Sequence, residues 1–385
     1  MPSEKIYHPP LEGAGVDFRN GLDEMIRRSN GDIQIIAHFN PDYDAVCSAL
    51  AIQRIFRKRY SDSGKKVNVL IDDSHIEDFD SLYETGDIIW VQDNERKKLL
   101  EHCAKDDALV FLDSSVLKRL VRDSEASTEL ARRVQNIALI DHHVFLETDR
   151  FESLGFRREE AVATSELVAR LFDDTDDIDK DSARLLLLGI YSDSIGYSTL
   201  NSNRFDVHYI VGNLLSRADT TEEEVTRFLN IKEDIYREFV QPMVTSQTYG
   251  STEYGMRYTS AHHNKLIKGM AESYLMRKAY RFFLENIAGK IQGMNVMWVV
   301  YPVGDNTYHI SFRSTKAYNV GELCADGNSF NKPGGGHPYS AACEHKLSDE
   351  EVVTISNLPP YEAMKFVNRI VEKKVIEYFK THSPN

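Results

Sequence analysis

The sequence predicts an α/β fold: a mainly parallel sheet with helices on both faces, followed by a smaller α+β domain, with the active site in the cleft between them. Short continuous apolar runs recur along the first part of the chain, at Ile33–Ala37, Val67–Ile71, Ile88–Val91, Ala108–Leu112 and Ile137–Ile140. Runs of that length without alternation read as strands buried on both faces. Segments of helical spacing separate them, and strands alternating with helices read as a parallel sheet. Past residue 250 the rhythm changes to longer strands and a terminal helix.

Taken in order, residues 1–17 read as an N-terminal arm containing Pro9-Pro10, Gly13 and Gly15. A helix is expected over Phe18–Ser29, then the first strand, then a helix over Ala45–Arg57 with apolar residues at Ala49, Ile52, Ile55 and Phe56. A further helix is expected near Glu95–Cys103. Two more are expected near Ser165–Phe172 and Asp181–Tyr191. The catalytic domain is placed at 18–215. A charged helical connector comes next at 216–249, with helix expected over Thr221–Tyr249. The C-terminal domain, 250–385, is expected to bind substrate. Its elements are strands at Tyr254–Ser260, Val296–Tyr301 and Thr307–Arg313, and helices at Ser273–Asn286 and Pro360–Phe379. A Gly-rich loop is expected at Pro333–Gly336.

Composition narrows the classes. Of 385 residues, 42% are hydrophobic and 28% charged, which is enough apolar material for a large core and excludes disorder as the main theme. The longest apolar run, Leu185–Ile190, is far short of the ~20 residues a membrane span needs. The N-terminal decapeptide lacks the apolar core of a signal peptide, so a cytoplasmic protein with no membrane partner is expected. The four cysteines are scattered, which favours neither a zinc ribbon nor a disulfide framework. A net charge of −14 disfavours long duplex nucleic acid, whose neutralisation needs an extended basic surface. It leaves room for a short anionic ligand and for divalent cations.

The informative pattern is where acids and histidines fall. The first strand runs into His38, Asp42 and Asp44; the run Ala108–Leu112 ends in Asp113; Ile137–Ile140 ends in Asp141-His142-His143. Asp193 comes after the apolar run Leu185–Ile190. In open α/β sheets the carboxyl ends of strands form the ligand crevice. Taken singly, Asp42, Asp44 or Asp113 reads as a helix cap or turn former. Together, at the same end of the same kind of element, they read as hard-cation ligands. Carboxylates gathered in one crevice persist only if cations or protons neutralise them. Carboxylate plus imidazole without thiolate suits Mn²⁺, with Mg²⁺ or Fe²⁺ as substitutes.

These residues resemble the DHH phosphoesterase superfamily. The motifs are His38-x-Asn-Pro-Asp42-x-Asp44, Asp113 at a strand end, Asp141-His142-His143, and Asp193 in Ser-Asp-Ser. The C-terminal Ser311-Phe-Arg313-Ser314 and Gly334-Gly335-Gly336-His337 resemble the small domain that accompanies DHH domains in RecJ-type exonucleases and in nano-RNase/pAp-phosphatase proteins.

The resemblance implies two Mn²⁺ per active site, one held by His38 and Asp42, the other by Asp44, His142 and Asp193, with Asp113 bridging. It implies that His143 meets the substrate phosphate and donates a proton to the leaving oxygen, with Asp141 orienting its neighbours. Arg313, Ser314, Gly335, Gly336 and His337 would hold a terminal phosphate or nucleotide. The activity implied is a phosphodiesterase that hydrolyses short RNA or dinucleotides, linear or cyclic, to nucleoside monophosphates. Alternatives are a phosphatase of 3′-phosphoadenosine 5′-phosphate, a RecJ-type single-strand exonuclease, and a nucleotide sensor without chemistry. Inorganic pyrophosphatase is less favoured, because the C-terminal motifs resemble the nucleic-acid branch. A homodimer is compatible with the family.

Overall fold

A computed structural model describes residues 13–38, 41–71, 82, 88–90, 100–114, 124–143, 154–194, 205–227, 248–249, 256–260, 284, 295–304, 306–315 and 317–382. The chain divides into two compact units, Met1–Leu229 and Asn230–Asn385.

The first unit is built on six strands: β1 (Ile33–Ala37), β2 (Val67–Ile71), β3 (Ile88–Trp90), β4 (Ala108–Leu112), β5 (Asn136–Asp141) and β6 (Leu154–Arg157). Every pairing is parallel, and the spatial order is β3-β2-β1-β4-β5-β6. Alternate residues feed two separate cores. Ile33, Ile35, Val110, Leu112, Ala138 and Ile140 pack with the helices Gly13–Arg28 (α1), Tyr43–Arg59 (α2), Thr164–Phe172, Lys180–Asp193 and Phe205–Ala218. On the opposite face Ile36, Leu70, Leu109, Phe111, Ile137 and Leu139 pack with Leu130 and Val134, at and just past the end of the helix Ser124–Arg133. Both faces being covered is why these strands show unbroken apolar runs.

The parallel sheet covered on both faces is the architecture expected from the sequence, with differences in detail. The first helix begins at Gly13 rather than Phe18, so the end of the expected arm is helical. Gly15 lies on the buried stripe with Phe18, Leu22 and Ile26, which extends the amphipathic face by one turn. Asp193 is the last residue of its helix rather than a residue after it. The helix Phe205–Ala218, the helix Ser124–Arg133 and strand β6 are additions to the sequence reading. Within the expected connector, Glu222–Thr226 is helical, with a capping box between Thr221 and Glu224, whereas Thr248–Tyr249 is a strand. Ala218 and Val225 belong to the first core. Of the expected helix Ser273–Asn286 the described residues include Leu284, which is helical and buried, and most of Glu95–Cys103 lies outside them.

The second unit holds a mixed sheet of β7 (Thr248–Tyr249), β8 (Met256–Ser260), β9 (Val296–Gly304), β10 (Thr307–Ser314), β11 (Lys332–His337) and β12 (Ser340–Lys346). Their order is β11-β12-β10-β9-β8-β7, antiparallel except for β8 with β9. Trp298, Ile310, Phe312 and Cys343 on one face pack against Val367, Val371 and Val375 of the terminal helix Pro360–Thr381. Buried Trp298 donates its indole N–H to Asn368 Oδ1 at 3.1 Å, so the polar edge of the ring is satisfied inside the core.

The expected Gly-rich loop is instead the edge strand β11. A Cβ at Gly334 would lie 1.9 Å from the Ala342 carbonyl oxygen, and Gly336 has φ +143° with Ser340 O at 2.4 Å from a Cβ. Two of the three glycines are therefore required by close pairing with β12, whereas Gly335 has open space around it.

Charged side chains tie the first unit together around Arg59. Its guanidinium donates to Asp23 (Nε to Oδ1, 2.9 Å) and to Asp177 (Nη1 to Oδ2, 2.7 Å), and the Tyr60 hydroxyl also donates to Asp23. Burial works to raise the Asp23 pKa, but Arg59 and Tyr60 outweigh it and hold the carboxyl below its ordinary value. The resulting stabilisation is complete above the unfolded value of about 3.9 and is lost as the pH falls through the depressed folded value. Asp23→Asn is expected to lower stability by about 2 kcal/mol at pH 7, and by progressively less towards pH 3, in urea melts followed by circular dichroism.

Candidate metal centre

The strand order reverses between β1 and β4, which are adjacent in the sheet but distant in sequence. Ligand crevices form at such switch points, outside the carboxyl ends of the strands. β1 delivers His38 and, at the start of α2, Asp42 and Asp44. β4 delivers Asp113 and β5 delivers Asp141, His142 and His143.

Seven side chains meet there. Ligand atoms of His38, Asp42 and Asp113 all lie within 4.8 Å of one another, as do those of Asp44, His142 and Asp193, and those of Asp113, His142 and His143. Asp113 stands between the first two groups. Its Oδ2 is 3.3 Å from His38 Nε2, while its Oδ1 is 3.4 Å from His142 Nε2 and 3.6 Å from His143 Nδ1. His142 Nε2 also lies 3.4 Å from Asp193 Oδ2 and 3.9 Å from Asp44 Oδ2.

Local backbone structure presents each group. Asp42 is the N-cap of α2, accepting from Ala45 N at 3.0 Å with its Oδ1, so the cap reading and the ligand reading both apply to it. Asp113 has φ +60°, a left-handed conformation costing a non-glycine residue roughly 1 kcal/mol, and its N–H is fastened to Ile140 O at 3.0 Å. His142 turns Nδ1 towards Ala161 O at 3.3 Å, which points Nε2 at the carboxylates. Asp141 Oδ1 accepts from both the backbone N–H (3.1 Å) and Nδ1 (2.9 Å) of His143 and so sets that ring. Asp44 Oδ2 accepts from Thr164 N at 2.6 Å and its Oδ1 from Ser165 N at 2.9 Å.

Burial decides the electrostatics. Asp44, Asp113 and Asp141 are fully buried and His142 nearly so. For Asp44, burial and then the charges of Asp113 and Asp193 push the carboxyl well above its ordinary range. Asp193 is pushed up to about 6 by burial and by Asp42. Asp113 goes the other way: burial would raise it, but His143, His142 and His38 together hold it well below. Burial disfavours a charged His142, yet Asp113 and Asp193 raise it well above a free imidazole. Three mutually repelling acids thus share too few positive partners to be ionised together.

That imbalance is what bound cations correct, and the residues fit them. Asp113 Oδ2 is buried and accepts no hydrogen bond, leaving a lone pair for a metal. The donors are carboxylate oxygen and imidazole nitrogen, a set suited to Mn²⁺. Cys47 lies nearby on α2, where burial and then Asp44 push its thiol up.

Residues 32–190 match the family model described as "DHH family, N-terminal domain". This part of the chain is similar to DHH-family N-terminal domains. Asp193 lies just past the end of the matched DHH segment. Among curated relatives, the manganese-dependent inorganic pyrophosphatase of Bacillus subtilis is 25% identical over 177 residues, covering 46% of this chain and 52% of the relative. A protein of Bacillus pumilus named as a probable enzyme of the same kind is 26% identical over 179 residues, covering 46% and 53%. The chain therefore spans about half the length of these curated relatives. Among solved structures, an exopolyphosphatase-related protein from Bacteroides fragilis superposes with a TM-score of 0.70 at 23% identity, covering 94% of this chain and 97% of that one. The likeness shows that the two share a fold.

The other sequence-selected residues lie in the second unit. Arg313 sits at the end of β10 opposite Ser340 of β12, and His337 of β11 is paired with the same Ser340. Arg313, Ser340 and His337 thus occupy one row across three strands. Arg313 Nη1 donates to Phe312 O at 2.9 Å. The Ser314 hydroxyl donates to Tyr318 O at 2.6 Å, so its proton is committed within the fold.

The sequence reading expects a helix at Ser165–Phe172 but assigns Thr164 no place at the site. Gly189, on the helix that carries Asp193, is locked against the same segment: a Cβ there would lie 2.0 Å from Ser165 Oγ and 2.8 Å from Asp44 Oδ1. Gly189→Ala is expected to displace Ser165 and Asp44, lowering both the thermal midpoint and the Mn²⁺ affinity, read by calorimetry. A pH series supplies a second check. Ligands must lose their protons to bind metal, and His142 is held above a free imidazole while Asp44 and Asp193 are raised by burial, so Mn²⁺ affinity is expected to weaken already as the pH falls from above neutrality and to keep falling through the acid range.

Proposed function

We propose that this chain is a manganese-dependent phosphoesterase acting on short oligoribonucleotides or dinucleotides to give nucleoside monophosphates. The observation that carries the reading is the convergence of His38, Asp42, Asp44, Asp113, His142 and Asp193 from four separate segments into two groups sharing one locality. In this reading His38 and Asp42 hold one Mn²⁺, Asp44, His142 and Asp193 hold another, and Asp113 serves both. Such ions acidify water and stabilise negative charge developing at phosphorus.

The chain's own residues do the rest. Asp141 accepts the Nδ1 proton of His143, so His143 exchanges a proton with substrate at Nε2 and serves the leaving oxygen. In this reading Arg313, Ser314, Gly335, Gly336 and His337 would hold a terminal phosphate or nucleotide, and Gly335 has open space around it. The net charge of −14 favours short substrates over long strands.

A second reading is hydrolysis of inorganic pyrophosphate. It is favoured by the curated Bacillus relatives, whose names give that activity for those proteins. Both readings need the same metal centre and differ in the substrate. The deciding experiment measures kcat/KM with Mn²⁺ on linear and cyclic dinucleotides, longer oligonucleotides, 3′-phosphoadenosine 5′-phosphate and pyrophosphate. Preference for dinucleotides supports the first reading; a preference for pyrophosphate of about 100-fold or more, some 3 kcal/mol in transition-state binding, replaces it with the second. No turnover on any of them favours a nucleotide sensor. Asp113→Asn is expected to cut kcat by roughly a thousandfold or more while the far-ultraviolet spectrum stays unchanged.

A further inference from the structure

We infer that Thr164 is a positioning residue: its hydroxyl fixes which oxygen of Asp113 faces each of the two ligand groups. The inference rests on the two-metal reading of the site and adds to it a residue that touches neither substrate nor metal.

The observation is a buried hydroxyl placed on one oxygen of the carboxylate that stands among His38, His142 and His143. Thr164 is fully buried, and its Oγ1–H donates to Asp113 Oδ1 at 2.8 Å. A carboxylate on a single bond can turn end for end, and its two oxygens are then equivalent. A hydrogen bond to one of them removes that equivalence. With Thr164 on Oδ1, that oxygen stays on the side of His142 and His143, and Oδ2, which accepts no hydrogen bond, stays on the side of His38. The backbone of Asp113 is fixed independently, by its left-handed φ and its N–H bond to Ile140 O. Of the side-chain freedom that remains, the Thr164 hydroxyl restrains the terminal torsion.

The same residue reaches the other ligand group. The Thr164 backbone N–H donates to Asp44 Oδ2 at 2.6 Å, and its neighbour Ser165 donates from N to Asp44 Oδ1 at 2.9 Å. One residue therefore holds a carboxylate from each group, by hydroxyl and by amide. The segment around it is itself anchored. Ala161 O faces His142 Nδ1, and Glu166 accepts from Val162 N at 2.8 Å and from Arg170 Nε at 2.7 Å. The stretch from Ala161 to Glu166 thus sets three ligand side chains, Asp44, Asp113 and His142, relative to one another. Partners of this kind, one step out from a metal ligand, typically govern affinity by roughly tenfold to a hundredfold.

The test compares Thr164→Val, which keeps the shape and removes the hydroxyl, with Thr164→Ser, which keeps the hydroxyl and removes the methyl. Mn²⁺ binding is titrated by electron paramagnetic resonance of the free ion, independently of any turnover. Thr164→Val is expected to weaken binding by about tenfold or more, and Thr164→Ser to stay within about threefold of the wild type. On the substrate preferred by the wild type, Thr164→Val is expected to lower kcat with KM nearly unchanged. Wild-type affinity in Thr164→Val overturns the inference. Equal weakening in Thr164→Ser and Thr164→Val also overturns it, because packing rather than the hydroxyl would then be responsible. If Thr164→Val does not fold, Thr164→Ala against Thr164→Ser gives the same comparison. Absence of Mn²⁺ binding by the wild type has a different meaning: it removes the two-metal reading and the positioning role with it.

Discussion

A carboxylate shut away from water must be balanced by charge or hydrogen bonds close at hand, and in this chain the constraint falls hardest on Asp113. It has no solvent exposure, sits between two ligand groups, and is surrounded by His38, His142 and His143. Removing such a group from water costs several kcal/mol unless nearby charge compensates. The imidazoles do so for Asp113, but Asp44 and Asp193 then lack sufficient positive charge and resist ionisation. The architecture around the site answers this need. A parallel sheet brings strand ends together, the order reverses between β1 and β4 to open a crevice, and the helix beginning at Thr164 turns its first amides towards Asp44.

Much of this is legible in the sequence because parallel strands buried on both faces have a strong signature. Ile33–Ala37 and Ala108–Leu112 are apolar almost throughout, and the side chains just beyond each run emerge at the same end of the sheet. That inference needs only chain direction and alternation, so it locates His38, Asp113 and His142 near one another without any knowledge of helix packing. The fold class comes from the same signal.

The features that escape a reading of the sequence have weaker local physics. Thr164 in Val162-Ala163-Thr164-Ser165 looks like an ordinary polar helix start, and nothing in its neighbours reveals an acceptor some fifty residues upstream, at Asp113. β11 reads as a loop because glycine carries no strand propensity; its pairing is set by β12, whose close approach demands glycine at 334 and 336. The helix Asp349–Ser356 is a different case: Ser348 and Glu351 form a capping box, a signal present in the sequence that the periodicity of the neighbouring strands and terminal helix overshadows. Gly189 looks like a flaw in an apolar helix, and its reason emerges only from the side chains packed against it.

The adjacency of β1 and β4 also orders events in time. His38 and Asp113 meet only through a parallel pairing that skips over β2 and β3 in sequence, and contacts of such span form late because loop closure must be met first. Before that pairing exists the chain holds only groups adjacent in sequence, Asp42 with Asp44 and Asp141 with His142 and His143, without the His38–Asp113 approach. Under the metal-dependent reading, cations would therefore act on the assembled sheet, stabilising it by mass action rather than nucleating it.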